Sequence, residues 1–146
     1  MSEDLSWVVA QMPHQPPMRF IDEVVAVEDA RIVCKAVLGE SHIMADEGRV
    51  SPLVAIELFA QAAAALMVYR AAKAGAPPTG GFLLGTRKVD VNTEAFVTGD
   101  VLTIDVKEIW GNGPLAQFEC LLSRDGDEVA SGSINVASAG GPPPEA

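Results

Sequence analysis

From Pro52 to Tyr69 the side chains are apolar or small at every position except Glu57 and Gln61. A run with no polar stripe predicts a helix covered on all sides, not one lying on a surface. On either side the pattern turns strand-like. "RFIDEVVAV" and "RIVCKAVL" are rich in β-branched residues and separated by "EDA", which predicts a hairpin. "FLLGTRKVDV", "DVLTIDVKEIW", "LAQFECLLSR" and "EVASGSINVA" predict four more strands. "GNGP" and "DGD" separate the last three, which read as an antiparallel meander. In "VLTIDVKEI", Val101, Thr103, Asp105 and Lys107 alternate with Leu102, Ile104, Val106 and Glu108, so this strand has one wet face.

The breaks between these runs carry their own signals. "EDLSWVVA", residues 3–10, predicts a short helix ended by the prolines of "MPHQPPM". Residues 39–52, "GESHIMADEGRVSP", read as a polar loop. Ser51 is placed to cap the long helix and Pro52 to occupy its first turn. The glycines and prolines of "KAGAPPTGG" predict where it stops. The expected organisation is a single domain over residues 1–136, followed by a disordered Pro/Gly-rich tail over 137–146. Two strands, one helix and four strands make an α+β domain, an antiparallel sheet curled around one long central helix. One sheet covers only part of such a helix, so a dimer is expected to cover the rest.

Composition narrows the function. With 146 residues, 49% of them hydrophobic, the chain is long enough for one buried core. Its net charge is −10, and its basic residues are scattered, which argues against a nucleic-acid partner. The apolar run approaches the length of a membrane span, but Glu57 near its middle would cost several kcal/mol in lipid, so no membrane crossing is expected. Cys34 and Cys120 lie in strand-like runs without metal-ligand spacing, and no secretory signal opens the sequence. A cytoplasmic protein is the expectation, by elimination.

The polar residues of the helix carry the candidate chemistry. A carboxyl group in an apolar pocket resists ionisation and can deliver a proton near neutral pH. Gln61 lies one turn beyond Glu57 on the same face. Structural readings compete with this: a Glu57 that faces solvent at a helix end, a buried Glu57 paired with an arginine, and a glutamine that satisfies backbone groups.

"MPHQPPMRFIDEVVAVED", "SPLVAIELFAQAAA" and "VDVNTEAFVTGDVL" together resemble the hot-dog-fold 3-hydroxyacyl-(acyl carrier protein) dehydratases. "GRVSPLVAIELFAQA" with "GFLLGTR" is most similar to the dehydratase-like proteins of aryl polyene gene clusters. The resemblance covers roughly residues 12–136. It implies a hot-dog fold and a homodimer or higher oligomer, with heterodimerisation with a related dehydratase as a further form. It also implies a β-hydroxyacyl substrate on acyl carrier protein or coenzyme A, and neither cofactor nor metal.

Residue by residue, the resemblance makes Glu57 the catalytic carboxylate and Gln61 its orienting neighbour. His14 matches a histidine near the mouth of the site. The family's catalytic histidine position holds Ile43 here, with His42 one residue earlier, so His14 and His42 are both candidates and a surface loop histidine is the competing reading. Glu57 handling both proton transfers is a further alternative. The family's oxyanion donor is a glycine N–H where this chain has Pro52, so the N–H groups of Leu53 or Val54 are expected to replace it. Leu53, Ile56, Phe59, Phe82 and Leu84 are candidates for an acyl tunnel. Arg70, Lys73, Arg87 and Lys88 are candidates for a carrier-docking patch. Two other functions stay open: a hot-dog acyl-thioester hydrolase, and a non-catalytic acyl-binding or heterodimer subunit.

Overall fold

Val24, Cys34, Ile104, Leu122 and Ala130 stand side by side on five neighbouring strands, and all are buried. This row is the inner face of the main sheet. The computed structural model describes residues 4–76 and 81–138, with backbone alone at 81–84 and 138. Its elements in chain order are α1 (Ser6–Ala10), β1 (Glu23–Glu28), β2 (Arg31–Val37), β3 (Ala45–Asp46), β4 (Arg49–Val50), α2 (Val54–Lys73), β5 (Gly81–Val91), β6 (Phe96–Val97), β7 (Val101–Asn112), β8 (Leu115–Arg124) and β9 (Asp127–Ser138). The main sheet is antiparallel with order β1-β2-β7-β8-β9-β5, and α2 packs across its inner face. The six expected strands and the central helix are all present.

The hairpins show why the meander forms. Asp125 and Gly126, at φ 53° and 83°, make the two-residue turn between β8 and β9. Both central residues of a type I′ turn need this left-handed conformation, which Asp-Gly adopts readily. Gly132 on β9 is required for a different reason. A Cβ there would lie 2.5 Å from the Lys88 carbonyl oxygen on the paired strand β5.

Several boundaries differ from expectation. β1 starts at Glu23, not Arg19, because the Asp22 carboxylate accepts the Val37 N–H and residues 19–22 turn inward, burying Phe20 and Ile21. The loop over 39–52 holds β3 and β4, a hairpin whose turn residues Glu47 and Gly48 are also left-handed, at φ 51° and 79°. β4 pairs with β6 to complete a second, three-stranded sheet. Glu-Gly is a weaker turn signal than Asn-Gly or Asp-Gly, so this hairpin was not legible. Residues 139–146, most of the expected tail, lie outside the described residues.

The apolar run fixes α2 only approximately. The helix begins at Val54, two residues later than expected, and continues to Lys73. The N-cap is Leu53, without a side-chain cap bond, and not Ser51 as expected; Ser51 closes the preceding turn, where its Oγ accepts the Leu53 N–H at 3.2 Å and its carbonyl accepts the Val54 N–H at 3.0 Å. Although long and apolar enough to span a membrane, α2 is the core helix, with ten residues buried. Its half-buried positions Ile56, Ala60, Ala64, Met67 and Ala71 recur every three or four residues as one stripe.

Candidate active site

Gln61 is fully buried, and its amide is saturated. Its Oε1 accepts the Phe20 N–H at 2.7 Å, and its Nε2 donates to the Met18 carbonyl at 2.8 Å and to Glu57 Oε1 at 2.9 Å. A glutamine amide has two N–H donors, and both are used. The i, i+4 spacing on α2 brings Gln61 to Glu57, and the inward turn of residues 18–20 supplies the two backbone partners. The geometry is compatible with both readings of Gln61, since its amide bonds to the carboxylate and to backbone groups.

Glu57 itself is half-buried, not sealed from water as the unbroken apolar run suggested. It sits on the stripe of α2 that this chain leaves partly uncovered. No arginine pairs with it among the described residues; its partner is the Gln61 amide.

His42 lies on the far side of Phe20. The two ring centroids are 4.4 Å apart, tilted by 50°. His42 Nδ1 accepts the Met44 N–H at 3.1 Å, while Nε2 is buried without a partner among the described residues. Desolvation lowers the pKa of this imidazole below its usual value, opposed by the nearby Asp22 carboxylate. His42 is therefore not an exposed loop residue. His14 is half-buried and its Nδ1 also lacks a partner among the described residues. It makes no hydrogen bond to Glu57 or Gln61 among the described residues.

The expected oxyanion donors are not free. The N–H groups of Leu53 and Val54 are both taken by Ser51, and Pro52 has none. Sequence reasoning also missed Phe20, which joins His42 to Gln61. A buried glutamine announces that it needs partners, but those partners are backbone groups 41 and 43 residues away.

The family model described as ApeP-like, ApeP dehydratase, matches residues 7–142. The chain belongs to the ApeP-like dehydratase family. It is similar to a solved chain of the dehydratase heterocomplex ApeI:P from Xenorhabdus doucetiae, with TM-score 0.85, 23% identity, and coverage of 94% of this chain and 92% of that one. Thioesterase structures share the hot-dog fold more distantly. Zebra fish thioesterase superfamily member 2 gives TM-score 0.67 at 17% identity, covering 95% of this chain and 100% of that one. A hypothetical thioesterase with coenzyme A from Streptococcus pneumoniae TIGR4 gives 0.63 at 15%, covering 82% and 86%. No curated protein matches the sequence.

In this ApeP-like chain the tunnel candidates divide. Phe59 is fully buried, Pro52 and Ile56 are half-buried, and Leu53 is 67% exposed, so Leu53 lines no enclosed space within one chain. The side chains of Phe82 and Leu84 lie outside the described residues. Two concavities avoid the site altogether. One, of about 880 Å³, crosses the outer face of the sheet past Arg31, Asp105, Lys107 and Glu119. The other, of about 220 Å³, lies between Met67, Arg70, Glu108 and Phe118. Neither is lined by Glu57, Gln61 or a histidine.

The docking candidates divide too. Arg70 is committed to Glu108 and to the Asp29 carbonyl, and Lys73 lies 3.7 Å from Asp29. Lys88 is 3.7 Å from Asp90, which leaves Arg87 as an exposed cation without a salt bridge among the described residues. Cys34 and Cys120 are both free and buried, and desolvation pushes each thiol up to about 12, far from thiolate chemistry.

Proposed function

We propose that this ApeP-like chain removes water from a β-hydroxyacyl thioester to give an enoyl thioester, with Glu57 as the group that moves protons. One observation carries the reading. An otherwise apolar helix presents a half-exposed carboxylate near its N-terminus, held at one oxygen by a fully buried amide. Dehydration takes a proton from the carbon beside the thioester carbonyl and gives one to the departing hydroxyl, and a positioned carboxyl group can do both.

A second hot-dog subunit completes the acyl cleft. The half-buried stripe of α2 and the position of both concavities away from Glu57 support this. The second subunit is a copy of this chain or a related dehydratase; the ApeI:P heterocomplex, a structural neighbour, supports the mixed pair. The thioester arrives on acyl carrier protein or coenzyme A.

The experiment is Glu57→Gln, assayed alone and with a related dehydratase subunit, following enoyl thioester formation. Turnover is expected to fall about 10³-fold, within the range for losing a general acid–base group, with the fold unchanged by circular dichroism. Undiminished turnover removes Glu57 from the chemistry. Release of free thiol from the wild type, without enoyl product, replaces dehydration with hydrolysis.

A further inference from the structure

We infer that Arg124 is a positioning residue for the candidate active site: it ties the three-stranded sheet to the main sheet, and that small sheet fixes the turn from which α2 starts, one helical turn before Glu57. This deepens the dehydratase reading and rests on it. β3, β4 and β6 are two residues each, too short to hold a sheet in place by their own pairing. β6 lies in the segment between β5 and β7, so its place must be set by what grips that segment. Backbone bonds hold the segment's two ends: the Asn92 N–H donates to the Val129 carbonyl, and Gly99 and Asp100 exchange bonds with Leu38.

Arg124 grips its middle. It is the last residue of β8 and is itself fixed in the main sheet, opposite Leu102 and Asp127. Its Nη1 donates to Asp100 Oδ2 at 3.0 Å and to the Ala95 carbonyl at 3.5 Å, and its Nη2 donates to Thr93 Oγ1 at 3.2 Å. The guanidinium also lies over the Phe96 ring, 5.6 Å from its centroid. Asp100 passes the restraint on, because the same Oδ2 accepts the Val97 N–H at 3.0 Å. One planar fork therefore holds the residues on both sides of β6, which a lysine's single ammonium cannot do.

From β6 the restraint runs to the helix. Phe96 pairs with Val50 of β4, and both side chains are fully buried. Ser51 follows directly, and its two oxygens hold the Leu53 and Val54 N–H groups where α2 begins. Glu57 lies four residues beyond Leu53. Each link is a hydrogen bond, a strand pair or the chain itself, so a shift of β6 reaches the first turn of α2. Proton transfer is sensitive to such shifts, since a misplacement of about 1 Å caused far from the chemistry can cost about 100-fold. Arg70 and Glu108 provide the contrast. That ion pair has side chains 35% and 19% exposed, against 26% and 15% for Arg124 and Asp100, but it sits at the other end of α2 and touches none of these links.

The test compares Arg124→Leu, Arg124→Lys and Arg70→Leu in the full chain. By NMR hydrogen exchange, the Leu53 and Val54 amides are expected to exchange about tenfold faster in Arg124→Leu and at the wild-type rate in Arg70→Leu, with the Ile104 and Leu122 amides unchanged in both. Unchanged exchange at Leu53 and Val54, or equal acceleration at all four amides, overturns the inference. Kinetics give a second reading. Per folded molecule, Arg124→Leu is expected to lose about tenfold in kcat with KM within about twofold, and Arg124→Lys to recover part of that loss. A wild-type kcat in Arg124→Leu, or an equal loss in Arg70→Leu, overturns the positioning role. Should Arg124→Leu fail to fold, Arg124→Lys decides both readings. A wild-type chain that forms no enoyl product, alone or with a partner subunit, overturns the dehydratase reading itself, and exchange at Leu53 and Val54 still decides whether Arg124 fixes the start of α2.

Discussion

At its C-terminal end α2 carries Arg70, whose guanidinium bonds to Glu108 and to the Asp29 carbonyl. Beside it Lys73 lies over the Tyr69 ring at 5.5 Å, and Tyr69 packs on Trp7. At its N-terminal end the same helix carries Glu57, whose one hydrogen bond among the described residues is accepted by Oε1 from the Gln61 amide. Both ends place polar groups beside an apolar core. The first end answers its charges within the chain; the second answers its carboxylate, among the described residues, with a neutral amide alone. A saturated network stabilises and rigidifies, whereas an unsaturated one is tolerated where a ligand or second subunit completes it. This contrast separates an end of α2 that is answered within the chain from one that is not.

The sharpest way to break the comparison is at Glu57, where substitution is expected to remove turnover about 10³-fold and leave the fold intact. Next in size is Gln61→Leu. It orphans the Phe20 N–H and the Met18 carbonyl and is expected to cost about 3 kcal/mol in urea unfolding, with turnover reduced as well. Stability within 0.5 kcal/mol of wild type, by the same order-of-magnitude reckoning, would mean the inward segment is anchored elsewhere.

Arg70→Leu should move stability alone. It strips Glu108 of its partner and is expected to cost about 1–2 kcal/mol, with kcat per folded molecule unchanged. A selective loss of kcat would erase the distinction between the two ends.

The smallest effect is the pH dependence from His42. Its folded-state pKa lies below the ordinary 6.5, chiefly through desolvation and despite Asp22, so the unfolded chain takes up the proton first as pH falls. The stability that neutral His42 contributes is complete above about pH 6.5 and declines as pH falls from there toward the lowered folded value. Urea midpoints across this range should slope less in His42→Leu than in wild type; identical slopes would show that other groups set the pH response.

Much of this was legible in the sequence. The six long strands, the central helix and the meander followed from alternation, β-branching and the "DGD" turn, because those signals are local. Glu57 and Gln61 stood out because two polar side chains interrupt an apolar run. The β3–β4 hairpin was not legible, since its Glu-Gly turn is an uncommon choice and its strands are two residues each. The closure of the Leu53 and Val54 N–H groups by Ser51 was missed for a related reason. Ser51 was expected to cap a helix starting at Pro52, and only geometry reveals that it instead closes the turn before Val54 and consumes these two N–H groups.

The sequence by itself determined the periodicities, and through them the α+β layout, the buried helix and the carboxylate–amide pair on it. Those are properties of neighbours three or four residues apart on a helix, or two apart on a strand. Tertiary structure alone decided that Phe20 joins His42 to Gln61, and that the Phe20 N–H and the Met18 carbonyl are the partners of the buried amide. Each of these is a hydrogen-bond or packing partnership between segments distant along the chain, and such partners are chosen by the fold and not by local spacing.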